Sequence, residues 1–94
     1  MNKKSVSFDD IKSELLLDKD FKEEYDRLKP RYEAIEQIIR ARKELNITQA
    51  ELARRVGTQK SNISRLESGN YNPSLDFLIK ISYALGKDLK VEFI

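Results

Sequence analysis

The residues best suited to specific chemistry in this 94-residue sequence are Gln59, Lys60, Ser61 and Arg65. Ser61 and Arg65 are four apart, so on a helix they stack on one surface. Lys60 lies beside them, and Gln59 sits where such a helix would begin. All four carry hydrogen-bond donors of the kind that reach base edges and phosphates in a major groove. Ile63 and Leu66 fall on the opposite side at helical spacing. A solvated face on an ordinary helical hairpin would carry the same residue types, and these residues alone leave both readings open.

The surrounding stretch supplies the elements that would position them. Thr48 with Glu51 three residues later is a capping box, which starts a helix. Leu52, Ala53 and Val56 repeat on one face of it. Gly57 then stops that helix through a left-handed backbone. Thr58 is a suitable cap for a second helix, which Gly69 closes. Two short helices joined by a glycine-containing turn are the sequence form of a helix-turn-helix. Arg31 to Asn46 reads as a preceding helix, with Ile35, Ile38, Ile39, Arg42 and Leu45 on a shared face and Asn46 as its left-handed stop. Asn70 to Ser74 is a loop by composition. Ser74 caps a last helix whose buried stripe is Leu75, Leu78, Ile81, Ser82 and Leu85.

Composition narrows the function classes. The sequence holds no cysteine and no histidine, which removes thiolate chemistry, disulfides and the commonest general base and metal ligand. We therefore expect no catalytic residue, no metal site, no cofactor and no small-molecule ligand. There is no run of 18 apolar residues and no signal-peptide pattern, so no membrane partner is expected, and a reducing cytoplasm suits the chain. The formal net charge of +2 is small, but it is unevenly spread. From Gln37 onward there are ten Lys/Arg against six Asp/Glu, a balance of +4. From Ser7 to Glu36 there are ten Asp/Glu against six Lys/Arg, a balance of −4. The basic half suits phosphate, and the acidic segment suits a basic partner.

The string TQAELARRVGTQKSNISRLESG resembles the DNA-binding unit of the Cro/phage-repressor (Xre) family. The likeness runs over residues 35–86. It implies an all-α fold: a repressor-like helix-turn-helix five-helix core over 31–87. An N-terminal helical extension (1–30) and one short C-terminal β-strand (88–94) would complete the chain. It implies double-stranded operator DNA as partner. Gln49 would contact phosphate, Gln59, Lys60, Ser61 and Arg65 would face bases, and Asn62 would face backbone. Thr58 and Ser64 complete the expected DNA-facing set. The family also pairs an arginine of the preceding helix with the glutamate of the LESG end, here Arg42 and Glu67.

The flanks extend this reading. Phe8, Ile11 and Leu15 share one face of a first amphipathic helix that ends near Leu17. Phe21, Tyr25 and Leu28 give a second its stripe. Pro30 fits the first turn of the next helix better than the interior of a long one; a continuous kinked helix is the alternative. A segment of form EYDRLKPRYEAIEQIIRARKELNITQAELA resembles HigA-type antitoxins, whose partners are RelE/HigB-like mRNA interferase toxins. That implies an autorepressing antitoxin, with Phe8, Ile11, Glu14, Leu15, Phe21, Glu24 and Tyr25 as toxin-binding candidates. The same apolar residues would serve equally to pack the arm on its own core, and a stand-alone Xre-type regulator is the alternative function. Finally, Leu89, Val91 and Phe93 alternate with Lys90 and Glu92, the period of a strand. A lone strand needs a partner for its backbone groups, so these three residues are expected at a homodimer interface. A tail packed on its own helices is the competing arrangement.

Overall fold

A computed structural model describes residues 19–94. The first amphipathic helix expected before Leu17, with Phe8, Ile11, Glu14 and Leu15, lies outside the described residues. Five helices follow one another: α1 (Lys19–Arg27), α2 (Lys29–Glu44), α3 (Gln49–Val56), α4 (Lys60–Glu67) and α5 (Leu75–Ala84). There is no β-strand among the described residues.

The break between α1 and α2 falls at a single residue, Leu28 (φ −101°, ψ 16°), and Pro30 occupies the first turn of α2. That is the position where a missing N–H costs nothing. The helix therefore starts at Lys29, two residues earlier than the sequence suggests, and no continuous kinked helix forms. Helix α2 ends where Asn46 adopts a left-handed φ of 58° and the Ile47 N–H bonds back to the Arg42 carbonyl at 3.3 Å. Thr48 caps α3, its hydroxyl accepting from the Glu51 N–H at 3.0 Å. Only that half of the expected capping box forms, because the Glu51 carboxylate turns forward to Arg54 and Arg55. Gly57, at φ 86°, ends α3 in the left-handed region.

One start signal is displaced by a residue. The N-cap of α4 is Gln59, not Thr58. The Thr58 N–H closes the end of α3 on the Ala53 carbonyl at 2.9 Å, which ties Thr58 to the preceding helix. At α5 the Ser74 hydroxyl accepts from the Phe77 N–H at 3.0 Å, and Asp76 lies in the first turn, where the helix dipole favours an acid.

Helix α3 packs on α4 and α5, α2 on α4, and α1 on α2. Ile35, Leu52, Ile63, Leu66 and Ile81 are wholly buried at the centre, one or two from each of α2 to α5. Burying such a side chain fully is worth about 1.5–3 kcal/mol. Helix α1 belongs to this core as its fifth helix. Tyr25 is buried and stacks on Tyr32 with ring centroids 5.0 Å apart and planes 5° apart, and Phe21 packs beside it. On α5, Ile81 and Leu85 are buried and Phe77 and Leu78 half-buried, while Leu75, expected inside, is exposed. Residues 88–94 have no regular structure in the single chain, so the expected strand is not present there. An isolated strand has nothing to pair its backbone with.

Candidate nucleic-acid interface

Helix α4 is divided sharply between two faces. Ile63, Leu66 and Glu67 are buried, whereas Gln59, Lys60, Ser61 and Arg65 are exposed. The structure thus brings together the four side chains singled out from their spacing, at one exposed edge of the α3–turn–α4 unit. Thr58, Asn62 and Ser64 are half-buried beside them. Such a face offers ammonium, guanidinium, amide and hydroxyl donors, and the one carboxylate of α4, Glu67, lies on the buried side.

Two hydrogen-bonded networks hold the unit. The first lies behind it. Arg42 grips both carboxylate oxygens of Glu67, Nε to Oε2 at 2.7 Å and Nη2 to Oε1 at 2.9 Å, across 25 residues of sequence. Its Nη1 donates to the Ile47 carbonyl at 2.9 Å, so the arginine also fixes the link between α2 and α3. The two side chains are only 12% and 5% exposed. Fork-to-fork geometry of this kind gives strong charge-assisted bonds. Gln49 joins the network, its Nε2 donating to Glu67 Oε1 at 3.0 Å. The amide expected at a phosphate is therefore anchored to Glu67, with one N–H left for an outside acceptor.

The second network lies on the outer face. Asn62 Nδ2 donates to Thr58 Oγ1 at 2.8 Å, and Arg65 Nη2 donates to Asn62 Oδ1 at 2.6 Å. The Arg65 guanidinium also lies 5.8 Å from the centre of the Tyr71 ring, which in turn meets Phe77 edge-on at 5.8 Å. A guanidinium held over an aromatic face loses less freedom when it binds. Tyr71 was not signalled by the sequence. It sits six positions beyond Arg65, across the turn that ends α4, and no helical or strand period links the two.

A third cluster is solvent-facing. Glu51 accepts from Arg54 at 2.5 and 3.0 Å and from Arg55 at 2.8 Å. These bonds, Arg54 first and Arg55 second, hold its carboxyl down from 4.5 to about 2. A depressed carboxyl contributes stability above its unfolded value, and that contribution is lost as pH falls through the folded one. We expect the Glu51 carboxyl signal to titrate with a midpoint near 2 in a side-chain NMR experiment, and Arg54→Ala to raise that midpoint. A midpoint near 4.5 in the unaltered protein would show that the fork does not persist in solution.

The toxin-binding candidates are less well grouped. Within α1, Tyr25 is in the core, Phe21 is half-buried against it, and Glu24 is exposed and paired with Arg27. The dimer candidates Leu89, Val91 and Phe93 are all exposed, Phe93 wholly so.

Comparison with known proteins agrees with this geometry. Residues 38–91 match the model of a family described as helix-turn-helix. Three relatives are each described as an uncharacterized HTH-type transcriptional regulator. One from Methanothermobacter thermautotrophicus is 51% identical over 47 residues, covering 50% of this chain and 68% of the relative. One from Archaeoglobus fulgidus is 43% identical over 53 residues, covering 56% and 75%. One from Haemophilus influenzae is 37% identical over 57 residues, covering 61% and 58%. No solved structure matches. The matched span begins inside α2 and takes in α3, α4 and α5, so the two-faced unit described above is the part that is shared, and the chain belongs to the helix-turn-helix family.

Proposed function

We propose that this protein is a DNA-binding transcriptional regulator that reads operator DNA through α4, as a homodimer. The observation that carries the reading is the exposed row Gln59, Lys60, Ser61 and Arg65 on a helix whose other face is sealed in the core. Lys60 supplies charge for phosphate, while Arg65 and Gln59 have the geometry for base edges. A single short recognition helix contacts few base pairs. Two copies would address half-sites about 34–36 Å apart, or a multiple of that. Fluorescence anisotropy with duplexes from the region upstream of its own gene tests this. A preference for one such duplex over random DNA, with affinity falling steeply as salt rises, is expected. Equal affinity for all duplexes would overturn the operator reading.

A second reading gives the same DNA-binding unit a protein partner, as an antitoxin that neutralises a RelE/HigB-like mRNA interferase and represses its own operon. The acidic balance of −4 over Ser7 to Glu36 and the HigA-like resemblance favour it. Within α1, however, the core takes Tyr25, so the partner is offered charge there more than apolar anchors. Deleting residues 1–30 would remove Tyr25 from its stack on Tyr32 and so mix folding with binding. Surface reversals avoid this. Asp20→Lys with Glu23→Lys changes two exposed positions, and should weaken co-purification with the basic product of an adjacent reading frame while leaving DNA binding intact. Unchanged co-purification, or no such complex at all, would leave the regulator alone.

A further inference from the structure

The tail has a symmetry that specifies how a second copy would meet it. Leu89, Val91 and Phe93 alternate with Lys90 and Glu92. The Lys90 ammonium and the Glu92 carboxylate pair at 3.0 Å, which puts both on the same side of an extended chain and the three apolar residues on the other. Among the described residues, no backbone hydrogen bond outside the helices involves residues 88–94. Leu89 lines a groove of about 430 Å³ between α2 and α5, beside Ile38, Ala41, Leu78 and Leu85. Val91 is 60% exposed and Phe93 fully so. The segment therefore presents an unpaired backbone edge and an uncovered apolar face together.

Only one register satisfies both. With two antiparallel copies related by a two-fold axis at Val91, Lys90 of each faces Glu92 of the other, Leu89 faces Phe93, and Val91 faces itself. All six apolar side chains then share one face, and both cross-strand charge pairs are opposite in sign. A parallel pairing sets Lys90 against Lys90 and Glu92 against Glu92. An axis at Lys90 sets Asp88 against Glu92. An axis at Leu89 runs the pairing back into Leu85, which closes α5. The pattern is thus complementary to itself, which identifies the occupant as another copy of this chain rather than an unrelated strand. The ribbon's apolar face also needs a surface to lie on, and the groove's Ile38, Ala41, Leu78 and Leu85 supply one.

We propose that residues 89–93 of two copies form an antiparallel ribbon centred on Val91, paired through Lys90 and Glu92 and seated at the α2–α5 groove. This rests on the homodimer reading above and adds its register. The sequence contains no cysteine, so single cysteines report cleanly. Directly opposed Cα atoms in an antiparallel pair are about 4.5–5.5 Å apart, within disulfide reach. Residue 89 would lie roughly 14 Å from its own copy at about 3.4 Å per residue, which is out of reach.

In the full chain under mild oxidation, Val91→Cys should give covalent dimers. Leu89→Cys and Phe93→Cys should each stay uncrosslinked alone and crosslink when mixed. In sedimentation, Lys90→Glu or Glu92→Lys should each raise the dimer dissociation constant about tenfold, and the combined swap should restore it. Self-crosslinking of Leu89→Cys as readily as Val91→Cys, in a protein that sediments as a dimer, overturns the register and leaves the homodimer standing. A monomer at all concentrations overturns the homodimer itself, and neither result bears on whether α4 binds DNA.

Discussion

Glu67→Ala is expected to destabilise the protein by about 3–5 kcal/mol, the range for breaking a buried ion pair from one side. The carboxylate accepts from Arg42 at 2.7 and 2.9 Å and from Gln49 at 3.0 Å. Its removal leaves a guanidinium only 12% exposed with the Ile47 carbonyl as its remaining partner. Native stability is typically about 5–15 kcal/mol, so this one change removes roughly a fifth of it or more. A domain of this size loses roughly 4–8 °C of Tm for each kcal/mol. In urea the midpoint should fall with the slope unchanged. The cost comes mainly from stranding a charge, so the double replacement Arg42→Met with Glu67→Leu should destabilise less than Glu67→Ala alone. Arg42→Lys should also be costly, because an ammonium cannot reproduce two parallel bonds to the carboxylate and a third to Ile47. A loss below about 1 kcal/mol for Glu67→Ala would place the pair with ordinary surface salt bridges.

The same pair shows what could be read from the sequence and what could not. Caps and stops are local, and the sequence carried most of them: Thr48, Gly57 and Ser74 act where their types and neighbours place them. The sealed side of α4 was also legible, since the three-four spacing of Ile63 and Leu66 needs no knowledge of the partner helix. Arg42 and Glu67 are far apart in sequence, and no periodicity connects them; the family resemblance did. Thr58 was misplaced by one residue because two helix-end signals compete at a short turn. Its N–H completes the end of α3, and that excludes it from opening α4. Tyr25 illustrates a different limit. A 3.6-residue stripe shows which face is buried but not what covers it, and here the Tyr32 ring stacks on Tyr25 from the next helix. Leu75 fits the stripe of α5 yet is exposed, while Phe77 two residues on packs against the core. At the tail, alternation reveals an extended chain, but pairing is a property of two strands. One copy cannot display it.

Arg65→Ala should have the largest effect on DNA recognition. In the free protein its guanidinium already has a fixed support: Nη2 on Asn62 Oδ1 at 2.6 Å, Asn62 braced on Thr58 at 2.8 Å, and the Tyr71 ring at 5.8 Å. A guanidinium carries five N–H donors, so the Asn62 bond leaves enough to engage guanine O6 and N7 together. Losing such a contact costs about 1–3 kcal/mol and relaxes discrimination at that base position. In a two-fold dimer the change is made twice at well-separated half-sites, so the operator should lose roughly 2–6 kcal/mol in all. Tyr71→Phe keeps the ring beneath the guanidinium and should preserve specificity, whereas Tyr71→Leu should lose part of it. Anisotropy titrations on a set of single base-pair variants separate the roles. If Arg65 reads a base, the alanine variant binds random duplex nearly as well as the parent does and no longer distinguishes one position in each half-site. If it lost affinity equally for every duplex, with a salt slope lower by about one per site, Arg65 would be a phosphate contact, and base reading would fall to Gln59 and Ser61.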